Sequence, residues 1–330
     1  MQVAGRLCRG LGAAALGVAA WSTLVEPRLF ALRRHEIPVL PEGAAPLRVL
    51  QLSDLHLAPW QHRKIDWVRR LAELRPDLVV LTGDLLGAGE HETAIAGHLS
   101  PALTPSRRQF GSTIAALLHA LQPFADNGVP GVFVHGSNDY YSPIAKNPFV
   151  YLKAPSRTGK RKPDLDNAAL TRGLEGLGFA DLNNAAERIE LRGTTLELFG
   201  LGDPHIGYDR PQLMDEAIAA LPRWRRKAPP VRLGVVHAPY QRALGSLLDH
   251  GADAILAGHT HGGQVRVPGI GALTSNCDLP VRQARGLSVW YDSERAAFLN
   301  VSAGLGMSVY APIRFACRPE ASLITLAAVR

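Results

Sequence analysis

Apolar residues gather in short runs along this chain, and most runs end in glycine, an acidic residue or histidine. The runs "RVLQLS", "PDLVVLTGD" and "GVPGVFVHG" have the length and the Val/Leu content that are typical of buried β-strands. Between the first two runs, apolar residues recur every three positions and predict an amphipathic helix over 64–74. A second helix is predicted over 113–124, before the third strand.

The second half of the chain repeats this alternation. Helices are predicted over 169–177, 212–221 and 241–250, and the predicted strands are "ERIELR", "TTLELFGLG", "VRLGVVH", "DAILAG", "AFLNVSAGLG" and "SLITLAAV". Alternating strands and helices favour an α/β architecture with crossover connections. The chain has no internal repeat, and its chemically distinctive segments are spread along it, so we predict one domain over 46–330.

The first 45 residues follow a different pattern. Arg6 and Arg9 precede an uncharged apolar run over 10–25, as in the charged and apolar regions of a secretory signal. The run is shorter than the roughly 20 residues of a full membrane span. We predict an uncleaved signal anchor and juxtamembrane stalk over 1–45, and a membrane-associated protein with the extracytoplasmic side favoured. The alternative is that the run is a buried helix of the fold.

Composition narrows the class of partner. The 330 residues carry a net charge of +7 with an isoelectric point near 9.6. This charge favours an acidic partner, such as phosphate, nucleic acid or anionic lipid. The alternative is that the basic patches are only solvated surface. The hydrophobic content of 46% is enough for a sizeable core. Cys8, Cys277 and Cys317 have no CxxC spacing, which argues against a disulfide scaffold or a zinc–thiolate site.

Potential metal ligands follow four of the apolar runs. In chain order, they are Asp54 and His56 in "LSDLHL", Asp84 in "LTGDLL", His237 in "VVHAPY", and His259 and His261 in "LAGHTHGG". We expect each closely spaced pair to lie in an extended segment with both side chains on one side. Because loops after strand ends gather at one edge of an α/β sheet, these side chains are predicted to converge. Carboxylates and imidazoles bind Zn, Mn or Fe, and two such ions need about seven or eight ligands.

This ordered series, together with "GSND" at 136–139, resembles the calcineurin-like metallophosphoesterase superfamily. It is similar in particular to the branch of small bacterial phosphoesterases with an N-terminal membrane-directing segment. The resemblance runs from Leu47 to the C-terminus and includes the tail "GLGMSVYAPIRFACRPEASLITL". It implies a layered α/β fold, in which a two-sheet β-sandwich is flanked by helices, with the catalytic domain over 46–330.

The resemblance also implies a role for each ligand. A first divalent ion would be held by Asp54, His56 and His261, a second by His237, His259 and an amide oxygen of "GSND", and Asp84 would bridge the two ions. A hydroxide bridging the ions would attack phosphorus in line, without a covalent enzyme intermediate. The two ions are expected to be Mn, Fe or Zn.

The "GSND" element departs from the family pattern. The usual sequence is Gly-Asn-His-Asp or Gly-Asn-His-Glu, in which Asn is a ligand and His contacts the substrate and can protonate the leaving group. Aligned without a gap, Ser137 stands at the ligand position and Asn138 at the acid position. Either a small loop adjustment makes Asn138 the ligand, or Ser137 faces the metal and Asn138 contacts phosphate. We favour Asn138, because a neutral hydroxyl is a poor ligand for a hard cation.

An amide cannot donate a proton as an acid. General acid catalysis contributes about 10²–10⁴-fold to a rate, so the departure predicts good leaving groups, such as those of aryl phosphodiesters or pyrophosphates. His205 in "LGDPHIGYD" is a candidate replacement and, with Asn138, a candidate catalytic residue. The alternative is a loop histidine capped by Asp203 or Asp209. His135 is expected to face away along its strand.

We therefore expect a metal-dependent hydrolase of phosphodiester, pyrophosphate or phosphomonoester bonds, acting on a small-molecule or lipid-linked substrate. One alternative is a metal-binding phosphate sensor with weak catalysis, and another is a nuclease. The basic runs "RRQF", "RTGKRK" and "RWRRK" lack interleaved aromatic residues apart from Trp224. This favours an anionic membrane surface or a phosphorylated lipid headgroup over nucleic acid as partner. A monomer is the default expectation.

Overall fold

The fold is built from two six-stranded β-sheets that pack face to face. The computed structural model describes residues 12–87, 107–143, 162–224, 229–308 and 311–329. In spatial order, the first sheet holds β1 (Ala31–Leu40), β14 (Glu320–Ala328), β2 (Leu47–Leu52), β3 (Leu78–Thr82), β4 (Gly131–Val134) and β5 (Phe179–Asp181). The second sheet holds β12 (Gly286–Tyr291), β13 (Ala296–Val301), β9 (Ala254–Ala257), β8 (Val231–Val236), β7 (Thr194–Leu201) and β6 (Ala185–Leu191). A short hairpin of β10 (Arg266–Val267) and β11 (Gly271–Ala272) follows β9 in the chain.

Alternate residues of the central strands point into two different cores. Leu50 and Val79 belong to the core beneath the helices, whereas Val49 and Leu78 belong to the core between the sheets. Since successive side chains of a strand point to opposite faces, both faces of these strands must be apolar. This is why the strands are continuous apolar runs in the sequence and do not alternate with polar residues.

Helices cover the outer face of each sheet. On the first sheet, α1 (His62–Arg70), α2 (Arg107–Asp126) and α3 (Asn167–Gly176) pack against β2, β3 and β4. On the second sheet, α4 (Pro211–Ala220) and α5 (Gln241–Asp249) pack against β7, β8 and β9. The predicted fold class, a two-sheet sandwich flanked by helices, is confirmed.

Parallel pairing places the predicted ligands in rows at the strand ends. β2, β3 and β4 are parallel neighbours, and so are β8 and β9. In the first sheet Asp54, Asp84 and Asn138 follow the three parallel strands, and in the second His237 and His259 follow the two. Because the carboxyl ends of parallel neighbours lie side by side, each sheet presents its ligands along one edge.

Residues 31–40 form an edge strand and not a stalk. β1 pairs in parallel with β14 over its whole length, and its residues Ile37 and Leu40 are buried in the core between the sheets. Charged residues and Pro38 interrupt the apolar pattern of this strand, which is why the pattern predicts a stalk at this position. The folded unit therefore includes residues before position 46.

The residues before β1 form a helical segment, here called the N-terminal segment (12–28). It starts as an α-helix, continues as one wider turn over Trp21–Val25 and ends as a tighter turn over Glu26–Arg28. Its Leu24 side chain is 60% exposed, whereas Glu26 is buried. In the part of the chain that the structure describes, no helix combines the length and the apolar character needed to cross a membrane.

Candidate metal centre

Five predicted ligands have left-handed backbone conformations. Their φ angles are 46° at Asp54, 37° at His56, 51° at Asp84, 68° at His259 and 49° at His261. The prediction that the paired ligands lie in extended segments is therefore wrong. The chain turns sharply as it leaves each strand. Asp54 and His56 come together in one donor group, whereas His259 and His261 contribute to different parts of the site. Such conformations cost about 1–3 kcal/mol each for residues other than glycine and cluster at functional sites.

Four donor groups converge at the end of the first sheet. The donor atoms of Asp54, His56, Asp84 and His261 all lie within 4.8 Å of one another. The rings of His56 and His261 stack, and their Nε2 atoms are 3.4 Å apart. Nε2 of His261 lies 3.6 Å from Oδ1 of Asp54, and Nε2 of His56 lies 3.7 Å from Oδ2 of Asp84. We call Asp54, His56 and His261 the first half of the site.

The other donors lie on the opposite side of Asp84. Nε2 of His237 is 3.5 Å from Oδ2 of Asp84. Asn138 donates to this carboxylate twice, from its backbone N–H at 2.8 Å and from its side-chain amide at 2.6 Å. The ring of His259 meets the ring of His237 edge-on, with centroids 5.2 Å apart. We call His237, His259 and Asn138 the second half of the site, and Asp84 joins the two halves.

The "GSND" loop is fastened to the loop that carries Asp84. The Asp139 carboxylate accepts two backbone N–H groups of the Asp84 loop and the N–H of Gly136. A Cβ atom at Gly136 would lie 2.3 Å from Oδ1 of Asp84, so a larger residue does not fit there. These contacts put the Asn138 amide against Asp84, and its role as a metal ligand stays a prediction.

Backbone carbonyl groups determine which nitrogen of each second-half histidine is free for a ligand. Nδ1–H of His237 donates to the carbonyl oxygen of Thr82 at 2.7 Å, and Nε2 is buried without a hydrogen-bond partner among the described residues. Nε2 of His259 lies 3.1 Å from the carbonyl oxygen of Asn276, to which it can only donate. When His237 is neutral and His259 carries its proton on Nε2, these bonds leave Nε2 of His237 and Nδ1 of His259 as lone-pair atoms, an arrangement typical of metal-bound histidine.

Burial dominates the electrostatics of the site. It lowers the pKa of His56 to about 4 and the pKa of His261 well below its usual range, so both rings are neutral at pH 7. Burial also raises the pKa of Asp54 to about 6. For Asp84 and His237 burial opposes the charged form, but the two groups stabilise each other, so the pKa of Asp84 is lowered and that of His237 is raised.

This donor set fits divalent cations. The neutral rings of His56 and His261 present lone pairs beside two carboxylates, and a cation between them would be bound by both kinds of group. It would also offset the cost of burying the Asp54 carboxylate. Imidazole nitrogen and carboxylate oxygen suit Mn, Fe and Zn. The residues present are thus compatible with the ions that the sequence predicts.

His205 lies beside the second half of the site. Its ring centroid is 4.5 Å from that of His259, and its Nδ1 is 3.1 Å from the hydroxyl oxygen of Tyr240. The capping interaction is present as well, because Asp203 accepts the backbone N–H of His205 at 2.9 Å. Capping and proximity to the site therefore occur together. His135 is buried and bonded on the far side of its strand, away from the other donors.

Three residues near the site carry no clear signal in the sequence. Asp203 is fully buried, and its Oδ2 has no hydrogen-bond partner among the residues that the structure describes. Burial raises the pKa of Asp203 to about 7. Asn276 and Tyr240 each contact the ring of a predicted site histidine. All three lie in loops. Asp203 and Tyr240 belong to the segments "LGDPHIGYD" and "VVHAPY", which is the signal that could have drawn attention to them.

Comparisons with known proteins agree with this geometry. Residues 47–263 match the family described as calcineurin-like phosphoesterase. Over 303 residues the chain is 27% identical to "Phosphodiesterase YaeI" of Escherichia coli (strain K12), with 91% of this chain and 90% of that protein covered. It is 25% identical over 312 residues to "Uncharacterized metallophosphoesterase YkuE" of Bacillus subtilis (strain 168), covering 93% and 88%. It is also 25% identical over 329 residues to "UDP-2,3-diacylglucosamine pyrophosphatase LpxG" of Chlamydia trachomatis serovar D, covering 92% and 91%.

The family match includes every predicted ligand, from Asp54 to His261, and the relatives align along nearly their full length. The superfamily that the motifs indicate is confirmed, whereas the membrane-anchored branch stays a prediction. The chain belongs to the calcineurin-like phosphoesterase family and is a hydrolase that acts on phosphoester bonds.

Proposed function

We propose that the chain hydrolyses a phosphodiester or pyrophosphate bond with a good leaving group, in a small-molecule or lipid-linked substrate. The observation that carries this proposal is the position of Asp84 between two sets of imidazole donors. His56 lies 3.7 Å from its carboxylate on one side and His237 lies 3.5 Å from it on the other. A carboxylate shared in this way is typical of two-cation sites for in-line displacement at phosphorus.

The two halves of the site are the proposed ligands of the two ions. The first half would hold one ion, the second half would hold the other, and Asp84 would bridge them. Members of this family use divalent metal ions, and the donor atoms suit Mn, Fe or Zn. When bound, two such cations supply an activated water molecule and neutralise the charge on the phosphoryl oxygens.

Asn138 and His205 are the proposed catalytic residues of the chain itself. Asn138 presents its side-chain amide beside Asp84, where the amide oxygen can serve as a ligand while the N–H donates to the carboxylate. Because an amide cannot act as an acid, a basic leaving group must receive its proton from another donor. His205 is the proposed donor, since its ring lies against His259 and Tyr240 orients it through Nδ1.

The names of two relatives support the proposed bond type. The relative from Escherichia coli is named as a phosphodiesterase, and the relative from Chlamydia trachomatis is named as a pyrophosphatase of UDP-2,3-diacylglucosamine. The second name combines a pyrophosphate bond with acyl groups, which is the combination that a lipid-linked substrate offers. A pyrophosphate also has a weakly basic leaving group, as expected for a site whose acid differs from the family pattern.

Membrane attachment and an extracytoplasmic location stay predictions. Exposed apolar side chains of the N-terminal segment, Trp21 at 46% and Leu24 at 60%, are compatible with contact to a bilayer surface. The basic runs favour anionic lipid over nucleic acid as partner. Parts of these runs, residues 157–161 and 225–227, lie outside the described residues. A monomeric state likewise stays a prediction.

Reconstitution with metal tests the proposal. The full chain is stripped of metal, reloaded with Mn²⁺ and assayed on an aryl phosphodiester, a pyrophosphate and an alkyl phosphomonoester. We expect Mn²⁺-dependent hydrolysis, fastest on the first two substrates. Asp84→Asn should lower kcat/KM by about 10³-fold or more, because both halves lose their shared carboxylate. Asp77→Asn is the matched control, since Asp77 accepts the N–H of Arg48 at the amino ends of the strands and should leave activity intact.

Absence of metal-dependent turnover, with Asp84→Asn equal to the wild type, would contradict the proposal. The altered "GSND" element then favours the second candidate, a metal-binding phosphate sensor. Ser137→Asn combined with Asn138→His rebuilds the usual family sequence and tests that candidate. Two bound metals per chain without turnover in this double variant would favour sensing over catalysis.

A further inference from the structure

The first half of the site packs against a later part of the chain. This part consists of residues 311–319, here called the C-terminal arm, and of the turn that precedes the arm and contains Gly306. Gly306 in this turn donates its N–H to the carbonyl oxygen of Asp54 at 2.6 Å. A Cβ atom at Gly306 would lie 2.6 Å from Cβ of His56. The turn therefore cannot shift without moving the backbone that carries Asp54 and His56.

Arg314 in the arm holds this turn. Its guanidinium group is fully buried and donates to the carbonyl oxygens of Ala303 at 2.7 Å, Gly304 at 3.1 Å and Gly306 at 2.5 Å. A buried guanidinium is costly unless its N–H groups are bonded, so these contacts are strongly maintained. Movement of the arm would release the turn behind Asp54.

Cys317 in the arm touches the remaining first-half ligand. Its Sγ lies 3.4 Å from the carbonyl oxygen of His261 and 3.6 Å from that of Gly262. Gly262 has a φ of 66°, and a Cβ atom there would lie 2.8 Å from Sγ of Cys317. All three first-half ligands thus contact either the arm or the turn that the arm holds.

The N-terminal segment fastens the arm from its other side. Glu26 is only 3% exposed, and its carboxylate accepts the N–H of Cys317 at 2.5 Å and the N–H of Ala316 at 3.0 Å. Trp21 donates its Nε1–H to the same carboxylate at 2.9 Å. Ala316 has a left-handed φ of 53°, a conformation that persists only where surrounding contacts enforce it.

We propose that Glu26 is a positioning residue for the first metal site, acting through the C-terminal arm on His261 and on the turn behind Asp54. The inference rests on the proposed metal centre and adds to it a role for the N-terminal segment in metal affinity. Because the first-half ligands have strained backbones, their geometry depends on the packing behind them. Substitution of residues behind metal ligands typically changes metal affinity about 10–100-fold.

Glu26→Gln tests this role with little change in shape. All three partners of the Glu26 carboxylate are N–H donors, from Trp21, Ala316 and Cys317. Glutamine retains one acceptor oxygen, and its NH₂ group must face at least one of these donors. A buried donor is then left unpaired, and the arm is no longer held as tightly.

The measurement is Mn²⁺ binding to the metal-stripped full chain by titration calorimetry, with bound metal counted by mass spectrometry. We expect two binding steps in the wild type, and the step that is absent in His56→Gln identifies the first site. In Glu26→Gln the affinity of that step should fall about 10–100-fold, while the other step stays unchanged. Glu197→Gln is the matched control. Glu197 is 4% exposed and ion-paired with Arg188 and Arg232 in the second sheet, so its loss should lower stability and leave both steps intact.

Unchanged Mn²⁺ affinity in folded Glu26→Gln would overturn the inference. An equal loss in both steps would also overturn it, because a general loss of structure has that effect. Absence of Mn²⁺ binding by the wild type would instead overturn the proposed metal centre. If Glu26→Gln does not fold, Trp21→Phe removes a single donor to the same carboxylate. Several-fold weaker binding at the first site is expected in that variant, and no change there would overturn the inference.

Discussion

The two halves of the metal centre are held in place by different kinds of contact. The first half is packed against glycine turns and a fully buried arginine, which leave its ligands little freedom. In the second half, His237 is oriented by a hydrogen bond to the carbonyl oxygen of Thr82, and His259 by contacts of Nε2 with the carbonyl oxygen and the side-chain amide of Asn276. Single side-chain changes can therefore alter the second half without disturbing the first. The departure from the family pattern, in "GSND", occurs in this second half.

The halves also differ in charge. The first half has its own carboxylate, Asp54, in addition to the shared Asp84, whereas the ligands that belong only to the second half include no carboxylate. Asp203 supplies a buried carboxylate on that side; burial raises its pKa, and the nearby His237 opposes that rise. We therefore expect the first half to bind metal more tightly than the second. The following predictions test this comparison, from the largest expected effect to the smallest.

Substitution of each histidine of "GHTH" in turn should distinguish the two halves most clearly. His261→Gln and His259→Gln should each lower kcat/KM by about 10³-fold or more, because the reaction requires both halves. Titration calorimetry should show that His261→Gln weakens the tighter Mn²⁺ step and His259→Gln the weaker one. His250→Gln is the control, since His250 follows the last residue of α5 and its Nε2 contacts Oδ1 of Asp215 at 2.8 Å. Loss of the same step in both variants would contradict the division into halves.

The effect of substituting His205 on kcat should depend on the leaving group. His205→Gln should lower kcat about 10²–10⁴-fold on alkyl leaving groups and much less on aryl ones, because only a basic leaving group needs the proton. The measurement is kcat over a series of phosphodiesters that differ in leaving-group pKa. Tyr240→Phe removes only the hydroxyl that orients the ring and should give a smaller effect in the same direction. A uniform loss over the series, with unchanged metal content, would argue against an acid role.

Asp203→Asn should weaken the second Mn²⁺ step about tenfold and leave the first step unchanged. The variant removes a buried negative charge from the second half, while its amide oxygen can still accept the N–H of His205. Asp253→Asn is the matched control, because Asp253 accepts the N–H of Arg232 at the start of β8. If each binding step has the same affinity in Asp203→Asn as in the wild type, this carboxylate does not act on the second ion.

The smallest effect concerns His135, a buried histidine on the far side of its strand from the site. Burial lowers its pKa to about 3 from the ordinary 6.5. Below pH 6.5 His135 becomes protonated in the unfolded chain but stays neutral in the folded chain. The free energy of unfolding that this neutral ring contributes above pH 6.5 is therefore lost as the pH falls. One such group contributes at most about 1.4 kcal/mol per pH unit to the free energy of unfolding.

In metal-stripped protein, His135→Gln should therefore lose less stability than the wild type between pH 7 and pH 5. Urea unfolding at several pH values in this range measures the difference. The exposed His62, substituted in the same way, is the control. Identical pH dependence in His135→Gln and the wild type would show that the buried ring is not the group that titrates.

Much of the fold could be predicted from local pattern. β2, β3, β4, β8 and β9 are continuous apolar runs because both of their faces are buried, and such runs are visible without any structure. The edge strands were harder, and neither β1 nor β12 was predicted. β1 contains charged residues and a proline, and β12 is largely accessible on both faces. An edge strand is stabilised by one neighbour and need not be apolar, so its sequence resembles that of a loop.

The candidate site likewise could be predicted in part from local sequence, and in part it depends on contacts between residues that are distant in the chain. The sequence by itself determined which side chains are chemically able to bind a cation, and their order after successive strands identified the family. Only the tertiary structure decided the left-handed turns at Asp54 and His261, the placement of Asn138 against Asp84, and the contact of Glu26 with Cys317. The physical reason is that ligand chemistry belongs to single residues, whereas positioning depends on contacts between residues that lie far apart in the chain.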